Sequence, residues 1–467
     1  MDPNELACEI GKPFREVKGW LFYPVTLTTF LIPFLIFYWT VYGISDVMIQ
    51  RASYLMLTMV LIFIFVPFGK KSPRVRPSVP DWILVVLGIT GSLYIMISYQ
   101  ELIFRLSALH KRDIFFGTIM IALGLEMGRR GLGKTLPGLA LLFLLYAVFG
   151  SQFPGILRHR GFGIEVIVSQ VYCAMEGYYG MATAFMVKYV VMFIIFGAFL
   201  EKSGGGKFFI DLAFSLTRRT VGGPAKAAVL SSALMGSISG SAIANVMTTG
   251  VFTIPMMKKI GYKPHIAGAI EAAASNGGQL MPPIMGAVAF IMSEFTGIPY
   301  VKIAVTAFIP IIIYYITVIL FVHIEAKKMG LQITVDQDVA KAPQILKEGW
   351  RFLIPLLALM VVLIAGYTPN MAGFVGIVTI VLASQFKKKT RMSFKEIFEA
   401  MVLGGRYTLN IGSIVPCIGI ILAIVGLTGL GLKFSFLLTM ISGGKIFVAI
   451  ILVGLISLIL GMGLPSG

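Results

Sequence analysis

The chain of 467 residues is 57% hydrophobic and only 13% charged, against about 25% charged residues in soluble domains. That balance excludes an ordinary soluble enzyme or binding module. The net charge of +18 does not indicate a nucleic-acid partner, because Lys and Arg cluster in short loops between apolar runs, as the positive-inside rule expects.

Long apolar runs recur from residue 20 onward, many near the ~20 residues that cross a bilayer. None shows the alternating segments of about 10 residues that a β-barrel needs. The fold class is therefore an all-α polytopic membrane protein. Cys8, Cys173 and Cys417 are scattered and have no metal-ligand spacing, so no disulfide framework is implied. The charged N-terminus lacks a small-residue cleavage site, and the first helix is expected to be retained.

Spans are expected at 20–42, 50–68 and 81–99, with Lys70, Lys71, Arg74 and Arg76 marking a cytoplasmic loop. A polar loop covers 100–113. Two more spans follow at 114–128 and 135–150. Residues 151–181 read as an outer loop and surface segment. A span at 182–200 ends in Glu201-Lys202-Ser203-Gly204-Gly205-Gly206-Lys207. In 208–219, Phe208, Ile210, Leu212, Ala213 and Leu216 fall on one face, which fits an amphipathic helix lying in the interface.

After Gly222-Gly223-Pro224 a helix at 225–235 is too short, at ~1.5 Å per residue, to cross a core of about 30 Å. It runs into Gly236-Ser237-Ile238-Ser239-Gly240-Ser241, and the chain then returns to Lys258-Lys259. This predicts a re-entrant hairpin over 222–260 with its tip at 236–246. A second break, Asn276 to Pro283, splits 264–294 into two half-helices. Broken backbone at membrane depth is tolerated only where it is buried in protein or lines a cavity. The two breaks therefore point to a site, with transport as the leading reading. Close helix packing by small residues is the plainer alternative.

A span at 300–322, a polar connection at 323–351 and spans at 350–366 and 370–386 follow. A surface segment (392–404), a span (407–427), a connector and a helix at 446–460 then run into Gly461-Met462-Gly463-Leu464-Pro465-Ser466-Gly467. This order repeats that of 182–241 in the opposite sense, which predicts an inverted-topology repeat. The second repeat begins near 350 and stops at its tip, so an incomplete transporter is expected.

The runs GSISGSAIANVMTTGVFTIPMMKKIGY and SNGGQLMPPIMGAVAFIMSEFTGIPY resemble the fused permeases of tripartite ATP-independent periplasmic (TRAP) transporters of the TAXI type. So do FGAFLEKSGGGKFF, GGPAKAAVLSSALMGSISGSA, EMGRRGLGK and VHIEAKKMGL. The match is close over 114–330 and looser over 400–467. Residues 1–110 resemble the fused small permease subunit, and 111–467 the large one. The resemblance implies an elevator-type, sodium-coupled secondary transporter in a bacterial or archaeal cytoplasmic membrane. An extracytoplasmic TAXI-type solute-binding protein would deliver a small carboxylate to it.

Sodium is a hard cation that takes oxygen ligands. With the resemblance, the sodium candidates are Ser237, Ser239, Gly240, Asn276, Gly277 and Gly461. A carboxylate suits half-helix N-termini, which gives Ser241, Asn245, Asn276, Gln279, Pro282 and Pro283 as substrate candidates. Glu271 is the ionisable residue nearest the break. Intramembrane carboxylates are functional candidates by default, and a structural pairing is the alternative here. His110, His159, His265 and His323 lie in expected loops or at span ends. An inactive truncated fragment and an intramembrane serine hydrolase are the competing readings. Against the latter, the serine cluster carries no G-x-S-x-G and no histidine lies on an adjacent apolar helix.

Overall fold

The computed structural model describes residues 15, 17, 19–44, 46–69, 72–73, 76–131, 133–331, 341–386 and 391–461. The expected basic loops around Lys70 and at Lys387 to Lys389, and residues 462–467 of the second tip, lie wholly or largely outside them. The described residues form helices and no strand. Among the described residues, six stretches are long and apolar enough to cross a membrane: Gly19–Tyr42, Val47–Phe65, Val79–Phe104, Met181–Lys202, Tyr300–Lys328 and Phe394–Thr428.

In chain order the helices are α1 (Phe22–Tyr42), α2 (Val47–Phe65), α3 (Val79–Phe104), α4 (Lys111–Gly131), α5 (Thr135–Val148), α6 (Ile164–Val168), α7 (Met181–Phe185) and α8 (Val191–Lys202). Next come α9 (Gly205–Thr217), α10 (Gly223–Ser239), α11 (Ala242–Lys259), α12 (Pro264–Gly278), α13 (Ala287–Thr296) and α14 (Tyr300–Lys328). The last are α15 (Ala342–Gly349), α16 (Ile354–Ile364), α17 (Pro369–Ser384), α18 (Phe394–Gly412), α19 (Val415–Thr428), α20 (Leu430–Ser442) and α21 (Ile446–Gly461). Asp46 caps α2 by accepting from the Met48 and Ile49 amides, which satisfies donors that a helix start leaves open.

The chain divides into two compact units, one of 1–32, 44–187 and 408–467, the other of 33–43 and 188–407. The first unit contains a buried ionic lock. Asp81 Oδ2 accepts from Arg15 Nη2 at 2.7 Å, and Asp81 Oδ1 from Arg130 Nη1 at 2.7 Å, with all three side chains at 0% exposure. The guanidinium groups also donate to the carbonyls of Ile64 and Val66, which end α2 and would otherwise lack partners.

Residues 151–181 depart from expectation. Instead of a surface segment they contain α6 and a π-turn, with Tyr172, Tyr178 and Tyr179 buried. The Tyr172 hydroxyl donates to Gly91 O at 2.6 Å and Tyr178 to Met120 O at 2.7 Å. A phenol buries its ring readily once its hydroxyl finds a carbonyl, and Tyr172 and Tyr178 find theirs on α3 and α4.

The second unit holds both breaks. Its core is built from Ala225, Ala228, Val229, Met257, Ile270, Ala274, Ile311 and Tyr315, where small residues let α10, α12 and α14 approach closely. Here α9 buries Phe208, Phe209, Ile210, Ala213 and Phe214 and leaves Leu216 exposed. Lys207, Asp211 and Ser215 recur every four residues, so the helix is amphipathic, but Leu216 falls outside its buried face. The short helix expected at 225–235 is a 17-residue helix, α10. The 29-residue α14 absorbs His323, Glu325 and Lys327, placed by sequence in a polar connection. Cations at its C-terminus complement the helix dipole, so polar sequence continues the helix there. Likewise α3 runs on through Phe104, and the loop expected at 100–113 shrinks to 105–110.

Candidate functional site

The site grows from two interruptions in the second unit. Helix α10 stops at Gly240, whose φ of 60° is the left-handed conformation that glycine adopts freely. A Cβ there would lie 2.1 Å from Met285 O. Helix α11 restarts at Ala242. The second interruption runs from the end of α12 to Gly286, which precedes α13, and includes a cis peptide at Pro282-Pro283 and a positive φ at Met285.

The two interruptions interlock. Ile284 N–H donates to Ser237 O at 3.2 Å, and Gly286 N–H closes the second loop onto Gln279 O at 2.6 Å. Tyr300, at the start of α14, donates its hydroxyl towards Pro283 O at 2.8 Å and Ile284 O at 2.5 Å. Asn245 is 1% exposed. Its Nδ2 donates to Ser232 O at 2.7 Å, while its Oδ1 is buried without a hydrogen-bond partner.

Helices α10 and α12 end in this cluster, and α11 and α13 begin in it. Helix C-termini present carbonyl oxygens and negative partial charge, whereas N-termini present N–H groups and positive partial charge. One small region thus offers oxygens for a cation and amides for an anion. No Asp, Glu, Lys or Arg occurs in 236–245 or 276–286, so backbone and neutral side chains carry the electrostatics.

The structure brings some of the expected site residues together and not others. Ser237, Gly240, Asn245 and Gln279, with the Pro282-Pro283 turn, gather where the breaks meet. The Ser237 hydroxyl turns back to Leu234 O at 2.7 Å, and Ser239 Oγ lies 3.4 Å from Ser241 O. Asn276 is exposed and accepts from Gln279 Nε2 at 3.2 Å. Gly277 packs under Tyr314 instead of facing the tip. Gly461 ends α21, in the other unit. Among the described residues, the contacts of the Ser237 and Ser239 hydroxyls are with backbone groups and not with a histidine.

Sequence reasoning missed two features. Tyr300 braces the second break from α14, and nothing near it in sequence signals that role. Glu271 makes no ion pair among the described residues and instead meets Ser232, Thr249, Thr253 and Ser275. Hydroxyls four apart in Thr249/Thr253, and Ser275 four after Glu271, were a readable signal, since such residues share a helix face.

Comparison with known proteins gives consistent results. The family described as "Tripartite ATP-independent periplasmic transporter, DctM component" matches residues 119–467, well over half of the chain. A sialic acid TRAP transporter permease protein SiaT of Haemophilus influenzae is 25% identical over 48% of this chain and 36% of that protein. A C4-dicarboxylate TRAP transporter large permease protein DctM of Pseudomonas aeruginosa is 25% identical over 47% of this chain and 51% of its own length. A 2,3-diketo-L-gulonate TRAP transporter large permease protein YiaN of Escherichia coli is 24% identical over 42% of this chain and 45% of its own. The chain spans about half, or less, of the curated relatives it matches. With a family match of that extent over a chain of membrane-length helices, this is a multi-pass protein of the cytoplasmic membrane that belongs to the DctM component family of tripartite ATP-independent periplasmic transporters, a family of transport components and not of enzymes.

Proposed function

We propose that the chain serves as the large membrane permease of a sodium-driven importer of a small carboxylate, which an extracytoplasmic solute-binding protein of the TAXI type delivers. The observation that carries this reading is the interlocking of the two helix breaks, which brings two helix C-termini and two N-termini together without a charged side chain. The buried, partnerless Asn245 Oδ1 suits a hard cation, and the amides that open α11 and α13 suit a carboxylate. The relatives are named for sialic acid, C4-dicarboxylates and 2,3-diketo-L-gulonate, which are all organic acids. The TAXI assignment rests on the runs around 236–262 and 275–300. The elevator reading rests on the repeated order of α8–α9–α10 in α19–α20–α21, each with a glycine break between helices.

The test is uptake of labelled dicarboxylates and sugar acids into proteoliposomes carrying the permease, with the binding protein added outside. An inward sodium gradient is expected to drive accumulation, and replacing sodium by potassium to abolish it. Accumulation indifferent to sodium would overturn the coupling.

A further inference from the structure

Three bases gather on the seam between α10 and α14 of the second unit. Lys226 Nζ lies 3.1 Å from His323 Nδ1. An ammonium has three donors and no acceptor, so His323 accepts through Nδ1 and carries its hydrogen on Nε2. Lys327 stands four residues after His323, on the same helix face, and its charge acts on both. Lys226 and His323 are half-buried, and Lys327 is exposed.

The local fold does not explain this charge. Lys327 suits the C-terminus of α14, where the helix dipole favours cations, but Lys226 lies at the start of α10, four residues after the Gly222 cap. The dipole disfavours a cation there, and Lys226 faces two more bases. The one acid on α10 and α14 is Glu325. It is two residues from both His323 and Lys327, about 200° round the helix. Among the described residues no ion pair joins a carboxylate to Lys226, His323 or Lys327. Charge-assisted bonds to a bound anion would relieve this repulsion.

The anion has to come from outside. One turn further along, a Cβ on Gly222 would stand 2.7 Å from Ala326 Cβ and 2.9 Å from Tyr262 Oη, so the helices are shut against each other behind the bases. The outer side is apolar. Helix α14 is the least buried of the six membrane-length stretches. Ile316, Leu320 and Ile324 are exposed on it at four-residue spacing, and their line runs into His323 and Lys327. The bases therefore stand where a lipid-facing surface ends, at headgroup level. Basic pockets between membrane helices hold anionic headgroups.

We propose that Lys226, His323 and Lys327 bind the phosphate of an anionic phospholipid whose acyl chains lie along Ile316, Leu320 and Ile324. Lys226 keeps two N–H donors after serving His323, His323 adds Nε2–H, and Lys327 adds its ammonium. This inference does not rest on the transport reading, and its test needs no uptake.

The test is native mass spectrometry of the full chain in detergent, incubated with phosphatidylglycerol, with phosphatidylcholine of the same acyl chains, or with phosphatidylglycerol and excess inorganic phosphate. The wild type is expected to retain phosphatidylglycerol in preference to phosphatidylcholine. Lys226→Gln and Lys327→Gln should each weaken that retention about fivefold. Lys302→Gln, at the other end of α14, is the control and should change nothing. Equal weakening in Lys302→Gln would show general attraction to a basic chain and overturn the proposal. Equal retention of the two lipids, or displacement of phosphatidylglycerol by inorganic phosphate, would overturn it as well, the latter by assigning the cluster to a free anion. Thermal unfolding gives a second reading that does not depend on Lys226→Gln folding well. Phosphatidylglycerol should raise the melting temperature of the wild type more than that of Lys327→Gln, and an equal rise would count against the site.

Discussion

Gly236 and Gly278 meet backbone to backbone: a Cβ on Gly236 would stand 2.3 Å from the Gly278 Cα. The contact joins the last turn of α10 to the end of α12, and so holds the two helix breaks in register. Backbone cannot yield as the end of a side chain can. Gly236→Ala is expected to lower stability by about 1–3 kcal/mol, the range for overpacking. Gly454→Ala, where nothing lies within 4 Å of the added Cβ, is the control and should be neutral. Thermal unfolding in detergent, read for both variants, checks the pair. Equal melting would show that the breaks are not locked at this contact.

Tyr300 is expected to matter for the site more than for the fold. Its ring stacks on Phe290 at 4.2 Å, and its hydroxyl serves two carbonyls in the second break. Tyr300→Phe keeps the stacking and removes the hydrogen bonds, a net loss of about 1 kcal/mol of stability. If the hydroxyl sets the shape of the 279–286 turn, uptake should fall several-fold while the melting temperature moves little. An unchanged rate of uptake would assign Tyr300 to packing alone.

Asn245 joins a satisfied donor to an unsatisfied acceptor. Asn245→Ala removes both the bond to Ser232 O and the free Oδ1. Polar contacts to a charged group contribute about 1.5–3 kcal/mol, and 1.4 kcal/mol is tenfold in affinity. The sodium concentration for half-maximal uptake is therefore expected to rise roughly tenfold or more. Asn245→Asp should do the opposite or disturb sodium dependence least, because it keeps an oxygen at that position. A sodium requirement untouched in Asn245→Ala would remove this residue from the proposed cation site.

Much of this architecture was legible in the sequence for simple physical reasons. Runs of apolar residues near bilayer length declare helices, and Gly240 or Pro282-Pro283 in the midst of such runs declares breaks. Three kinds of feature were hidden. Tyr172 and Tyr178 look like interfacial residues until distant carbonyls appear for their hydroxyls. Helix α14 continues through polar residues because its C-terminal end tolerates cations, which hydropathy alone does not show. Glu271 was legible as a candidate with a structural pairing as the alternative, and four-residue spacings hinted at Thr249, Thr253 and Ser275, but nothing in the sequence shows that three helices bring those hydroxyls to it. Local order was readable, whereas contacts between helices were not.

Asp81 carries the last prediction. It is a fully buried carboxylate between two guanidinium groups, and Ser78 Oγ also donates to it at 2.6 Å. Asp81→Ala leaves Arg15 buried without its anion and Arg130 with Glu126 alone, at 2.8 Å. Breaking a buried pair by removing one partner costs about 3–5 kcal/mol, so a large drop in thermal stability is expected. Arg15→Met should cost less, because Asp81 keeps Arg130 at 2.7 Å and Ser78. Glu101 is the contrast. Its side chain is 76% exposed where it meets Arg105, and exposed pairs contribute about 0–1 kcal/mol. Glu101→Ala should therefore leave melting almost unchanged. Salt separates the two cases further, since screening weakens exposed pairs and hardly reaches buried ones. The Asp81→Ala deficit should persist in high salt, and a deficit that vanished there would mean that this lock is open to solvent.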